Sequence, residues 1–418
     1  MYKTYKLKNN ANVFLIPLQN TDSITTLIMY PVGSRYEPTK MQGVSHYIEH
    51  LMFKGTKKRK NTLTLTREID RLGAYYNAFT GKEYTGYYIK TAKKFTKISL
   101  DILSDMLFES KFDPKEMERE KGPIVEELRM YKDNPIMNID NIFEDLLFSG
   151  SYLGRDIGGT EKHVMSFTRK DTLDYKEKYY QPSNMFIVVA GNIDETTEEL
   201  IKTYFGTTKD AHKPSSTFKP FAFGPTAKKE RIVVEHKKTD QVQMMLGFPG
   251  YKFNDNRNVT LDVLNTILGG SMSSRLFIKI RERMGLAYTV RSDYDVFRDT
   301  GYSYVRAGLE EKNLNKAIKA IKSEIEKLKE KGVTSSELRD AKTHIRGSIT
   351  LSLEDSSSQA NWYAKQFMFG SVDTPDMYLK KIDKVTNEQI MKVAQQTFKD
   401  AQMRIAIIGD VKKEDVIF

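Results

Sequence analysis

Two histidines and a glutamate fall within five residues in His46-Tyr47-Ile48-Glu49-His50. The flanking residues read as a helix: Gly43 and Ser45 stand near its start, Val44, Ile48, Leu51 and Met52 are apolar, and Gly55 ends it. Positions i and i+4 share a helical face, so two imidazoles there can share one ion. Zinc takes imidazole nitrogen readily, and a catalytic zinc site needs three protein ligands plus one open position for water. Glu49 is close enough to touch that water without ligating the metal. The order inverts the more familiar His-Glu-x-x-His helix. Only six histidines occur in the chain, His46, His50, His163, His212, His236 and His344, so the pairing does not follow from a His-rich composition.

A third ligand is required. Glu83, in Thr80-Gly-Lys-Glu83, is one acidic candidate. Glu120-Lys-Gly-Pro-Ile-Val-Glu126-Glu127 offers more, because residues seven apart on a helix share a face, as Glu120 and Glu127 would. Pro123 threatens that helix by removing a backbone donor. Spacing alone leaves Glu120, Glu126 and Glu127 open.

Further elements must position these groups. Strands are expected at Asn12–Leu18, Ser23–Val32, Ala74–Phe79, Tyr84–Thr91 and Phe186–Ala190, and helices at Val44–Phe53, Thr62–Leu72, Phe95–Phe108 and Pro114–Lys132. Consecutive strands point to a largely antiparallel sheet with helices on one face, an α+β sandwich. The pattern occurs twice. Met185-Phe-Ile-Val-Val-Ala-Gly-Asn-Ile-Asp resembles Met403-Arg-Ile-Ala-Ile-Ile-Gly-Asp-Val, and the helix openings at Phe112 and Val333 repeat at nearly the same offset. A duplicated domain follows. We expect a first domain at 1–205, a Pro/Ser/Thr/Lys-rich linker at 206–229 and a second domain at 230–418.

Composition narrows the function classes. At 418 residues the chain suits two domains. It contains no cysteine, which excludes disulfides, thiolate nucleophiles and cysteine-ligated metal. The net charge of +11 reads as a lysine-rich solvated surface, exemplified by Ile318, Ile321, Ile325 and Leu328 at helical spacing among charges. No nucleic-acid-binding signature accompanies it, so nucleic acid is not an expected partner. No stretch approaches a membrane span and no leader is evident, so no membrane association and a cytoplasmic location are expected.

The segments Gly33-Ser-Arg-Tyr-Glu-Pro, Gly43-Val-Ser-His-Tyr-Ile-Glu-His-Leu-Met-Phe-Lys-Gly-Thr56 and Gly73-Ala-Tyr-Tyr-Asn77-Ala78-Phe79-Thr80 resemble the pitrilysin/insulinase family of zinc peptidases, the inverzincins. The run from Gly269 through Arg281 to Tyr288 resembles that family's second half. The closer similarity is to its short two-domain branch, which includes mitochondrial processing peptidases and their bacterial relatives. The resemblance implies a zinc endopeptidase holding one Zn²⁺ per chain. It implies Glu127 as third ligand, with an essential Glu seven residues earlier, Glu120, in support. Glu126 would need Arg119 as its partner and breaks that pattern.

The same resemblance assigns Arg281 and Tyr288 to gripping substrate, and Asn77, Ala78 and Phe79 to the edge strand that pairs with substrate backbone. The second half has no His-x-x-Glu-His, so metal is expected in the first half only. Glu49 is the implied general base. Peptides or unfolded segments are the implied substrates, cleaved within a chamber. A homodimer, or a heterodimer with a homologous subunit, is the implied assembly. The alternative function is an inactive partner or core subunit of the same fold.

Overall fold

The structure is a computed structural model and describes residues 2–19, 21–211 and 218–417. The linker expected at 206–229 falls partly outside the described residues, at 212–217, and so does His212. Two packing units interleave along the chain. The first comprises Met1–Arg129, Arg155–Phe218 and Leu351–Val372; the second comprises Met130–Gly154, Lys219–Thr350 and Asp373–Phe418.

The first unit is built on a six-stranded sheet. Its strands are β1 (Lys3–Lys6), β2 (Asn12–Pro17), β3 (Ser23–Tyr30), β4 (Tyr75–Thr80), β5 (Thr85–Ala92) and β6 (Phe186–Gly191). They lie in the order β1-β2-β6-β3-β5-β4. Only the β2–β6 pair is parallel, with Asn12 opposite Phe186 and Pro17 opposite Gly191. β4 is an edge strand, paired to β5 with Asn77 opposite Tyr88 and Phe79 opposite Gly86.

The helices α1 (Val44–Leu51), α2 (Thr62–Asp70), α3 (Thr96–Glu109) and α4 (Pro114–Asp133) belong to this unit. Their apolar faces enter a core with Ile24, Ile28, Tyr87, Ile89 and Ile187 of the sheet. Each expected helix and strand is present within a few residues of its predicted ends. Helix α4 runs through Pro123 without a break.

The second unit repeats this plan. Its strands β7 (Ile232–His236), β8 (Val242–Pro249), β9 (Ala287–Val296), β10 (Gly301–Leu309) and β11 (Arg404–Gly409) lie in the order β7-β11-β8-β10-β9. Here again one pair, β7–β11, is parallel. Matching β2-β6-β3-β5-β4 to β7-β11-β8-β10-β9 superposes order and direction, which is the duplication expected from the repeated segments.

One expectation needs correction: helices do not cover one sheet face alone. Phe14, Ile16, Leu27, Met29, Val188 and Ala190 are buried on the opposite face of the first sheet, against Tyr363, Ala364 and Met368 of the helix Ser356–Phe369. In the second unit, α5 (Pro135–Leu147) covers the corresponding face through Ile139, Phe143 and Leu147. The cause is compositional. Central strands such as Phe186-Ile-Val-Val-Ala are apolar on both faces, and each face must be removed from water. Each covering helix is drawn from far along the chain, so the packing units are not two contiguous halves. Among the described residues no helix is long and apolar enough to cross a membrane.

Candidate metal centre

Helix α1 begins at a backbone position that only glycine fills well. Gly43 has φ +91°, and a Cβ there would lie 2.2 Å from the Gly158 carbonyl oxygen. The buried Glu37 carboxylate accepts hydrogen bonds from the backbone N–H groups of Gly43 (2.7 Å) and Ser45 (2.8 Å), so it satisfies donors that the first helical turn leaves open. Burial pushes the Glu37 carboxyl up to about 7, against these two N–H groups and Arg155.

Val44, Tyr47, Ile48 and Leu51 turn into the core. His46, Glu49 and His50 therefore emerge on the other side of α1. The buried Tyr47 hydroxyl donates to the Met117 carbonyl oxygen at 2.6 Å, tying α1 to α4.

That tie places the α4 carboxylates. His46 Nε2 and His50 Nε2 are 3.2 Å apart. Glu127 Oε2 lies 3.3 Å from the latter and 3.7 Å from the former. Ligand atoms about 2.0–2.2 Å from one tetrahedral zinc lie about 3.3–3.6 Å from one another, so this triangle has the right edges for the ion. Two imidazoles and one carboxylate also form a donor set that zinc favours. His46, His50 and Glu127 are the one such cluster of three among the described residues. Of the open carboxylate candidates, Glu126 points away and pairs with Arg129 at 2.7 Å, while Glu83 is held in a buried ion pair with Arg35 at 2.6 Å.

Glu120 stands behind His50. Its Oε1 is 2.9 Å from His50 Nδ1, and its Oε2 is 2.5 Å from Lys54 Nζ. Donation from Nδ1–H to that carboxylate leaves the Nε2 lone pair facing inward, the tautomer that a ligand needs. His46 has no such support: its Nδ1 is buried without a hydrogen-bond partner, and its ring is set by packing near Gly158.

The electrostatics follow the geometry. Burial and the neighbouring His50 hold the His46 imidazole well below its usual range. Burial also opposes charge on His50, but the Glu120 and Glu127 carboxylates overcome it and raise that imidazole. The hydrogen bond with His50 lowers the Glu127 carboxyl.

Glu49 stays outside the triangle. It accepts a hydrogen bond from the Thr80 hydroxyl at 2.6 Å, and burial raises its carboxyl above the ordinary range. Thr80 ends β4, the edge strand that carries exposed Asn77, buried Ala78 and half-buried Phe79. The sequence reading missed the Glu49–Thr80 bond, the Glu37 anchor and Lys54. The Glu49–Thr80 and Lys54–Glu120 contacts join segments far apart in sequence, while Glu37 reaches backbone N–H groups six and eight residues on, through a turn that no helical or strand period specifies.

Arg281 lies in a π-helical turn, Phe277–Arg283, within the second unit, and Tyr288 lies in β9. The guanidinium carbon is 5.5 Å from the Tyr288 ring centre and 4.7 Å from that of Phe277. Tyr288 is 70% exposed, which rules out a core tyrosine.

The chain resembles known proteins along most of its length. Residues 13–160 match the model of the insulinase family, peptidase family M16, and residues 166–345 match that of the M16 inactive domain. A Bacillus subtilis protein named as an uncharacterized zinc protease is 36% identical over 403 residues, covering 95% of this chain and 96% of its own. A Rickettsia felis protein of similar name is 32% identical, covering 97% of this chain and 96% of its own. A crystal structure of a protease from Helicobacter pylori superposes with a TM-score of 0.90 at 26% identity, covering 98% of this chain and 99% of that one.

Proposed function

The chain belongs to the insulinase family of zinc peptidases, peptidase family M16, and on that premise we propose that it is a zinc-dependent endopeptidase acting on peptides or unfolded segments. The observation that carries this reading is the triangle of His46, His50 and Glu127 with Glu49 beside it. One zinc ion per chain would sit there, lowering the pKa of a water molecule and polarising a peptide carbonyl.

Glu49 acts as general base, taking a proton from the attacking water and returning it to the departing amine. Its partial burial and raised carboxyl suit a group that must both accept and release a proton. Glu120 fixes the His50 ring and tautomer. The open edge of β4 receives the peptide as an added strand along Asn77, Ala78 and Phe79, and backbone pairing of that kind gives affinity with loose sequence preference. Arg281 and Tyr288 grip substrate carbonyls, with the exposed Tyr288 hydroxyl available to an oxygen that gains charge. A homodimer enclosing its substrate in a chamber completes the proposal.

An inactive partner subunit of the same fold would have no need of a buried base beside a complete donor set. Purified protein loaded with zinc should digest an unfolded polypeptide, stop when a chelator is added and resume when zinc is restored. Stoichiometric zinc without any digestion would leave the inactive reading standing.

A further inference from the structure

On the first sheet, the helix Ser356–Phe369 packs chiefly over β2, β3 and β6. Beside it, on the same face, a cleft of about 350 Å³ opens along β5 and β4. Its floor is aromatic: Phe79, Tyr84 and Tyr88. Phe79 occupies the space over its cross-strand neighbour Gly86, where a Cβ would meet the Phe79 ring at 2.3 Å. The helix wall presents Ser357, Asn361 and Lys365, spaced four apart on one face. The Lys365 ammonium sits 4.7 Å from the centre of the Tyr84 ring. Among the described residues no ion pair engages it.

The cleft borders the open edge of β4. Side chains alternate along a strand, so Thr80 and Ala78 face the layer of α1, where Thr80 meets Glu49. Asn77 and Phe79 line the cleft on the other face. A peptide paired to β4 would send its side chains alternately to the metal centre and to this cleft, because directly opposed residues share a face. An unpaired cation above an aromatic floor is complementary to an aliphatic stem ending in a carboxylate.

We propose that this cleft is a subsite for an acidic side chain, Glu or Asp, of the peptide bound along β4. The proposal rests on the endopeptidase reading and specifies its substrate class. Acidic preference then falls on substrate positions of one parity relative to the cut bond, two residues apart.

The test has two arms. In the first, zinc-loaded protein digests a peptide library and cut sites are mapped by mass spectrometry. Asp and Glu should be enriched at alternate positions, and Lys365→Glu should exchange that enrichment for Lys and Arg. In the second, the Glu49→Gln protein binds two fluorescent peptides that differ only by Glu or Lys at the enriched position, or at an interior position if no cleavage occurs. Anisotropy should show about two- to fivefold tighter binding of the Glu peptide, with the order reversed when Lys365→Glu is added. Lys365 is exposed, so its replacement does not disturb the core. Cleavage without alternate acidic enrichment, or equal affinity for both peptides, overturns the subsite and leaves the peptidase reading intact. No cleavage by zinc-loaded protein overturns the peptidase reading, and the affinity comparison still decides whether the cleft selects acid.

Discussion

The Thr80 hydroxyl donates to Glu49 Oε2 at 2.6 Å, so the edge strand proposed to receive a peptide is bonded to the carboxylate proposed as base. The bond favours the charged carboxylate against burial, and it limits the rotation of Glu49 about its side-chain bonds. Thr80→Val keeps the shape and removes the donor. A hydrogen bond to a charged group contributes about 1.5–3 kcal/mol, so kcat should fall about tenfold to a hundredfold. Bound zinc, measured by atomic absorption, should stay at the wild-type level. A variant with unchanged kcat would mean that the bond does not position the base.

Glu49→Gln preserves size and removes the proton acceptor. Because Glu49 lies outside the triangle of donor atoms, zinc should remain stoichiometric. Peptide cleavage should drop by about 10²–10⁴, the usual contribution of a general base. His50→Ala should lose both metal and activity, since it removes one corner of the triangle and the partner of Glu120. If Glu49→Gln cleaves at the wild-type rate, the assignment of the base is wrong.

Glu120 touches His50 and Lys54 and no other member of the triangle. Glu120→Gln should therefore weaken zinc binding about ten- to a hundredfold by loosening the His50 ring and tautomer. Lys54→Met tests the next link. Without Lys54 the Glu120 carboxylate loses the partner that fixes its second oxygen, so the His50 ring is held less firmly and zinc affinity should fall by a smaller factor. A competitive chelator titration gives both values. Equal affinity in all three proteins would show that His50 is oriented by packing alone.

The approach of His46 to His50 was legible because helical periodicity brings the two side chains together without outside help. The choice of Glu127 was less so. Glu120, Glu126 and Glu127 all sit on one helix, and family resemblance rather than spacing separated them. The structure shows the physical difference: Glu126 is turned one residue around the helix, toward Arg129. The second sheet face was harder to read. Strands such as Phe186–Gly191 reveal that both faces are apolar, but nothing local in the chain says which distant helix will cover the outer one. The same holds for Thr80, whose contact with Glu49 joins a strand to a distant helix, whereas Glu37 reaches N–H groups only six and eight residues on, through a turn that no helical or strand period specifies.

Stability of the second unit should carry its own acid dependence. Glu337 accepts hydrogen bonds from Arg275 Nε at 2.6 Å, from Arg275 Nη2 at 2.9 Å and from the Thr334 backbone N–H at 2.8 Å. Arg275 foremost, with Thr334 and against partial burial, pulls the carboxyl down from 4.5 to about 2. Between those values the unfolded chain binds more protons than the folded one, so stability rises with pH there. The contribution is complete above about 4.5 and is lost as pH falls through about 2. The side chain is partly exposed, so solvent screening leaves about 1 kcal/mol of the full linkage value. Glu337→Gln should lower the free energy of urea unfolding by about that amount at pH 7, and the gap to wild type should narrow steadily between pH 5 and pH 3. A gap that stays constant over that interval would show that the Glu337 charge does not stabilise the fold.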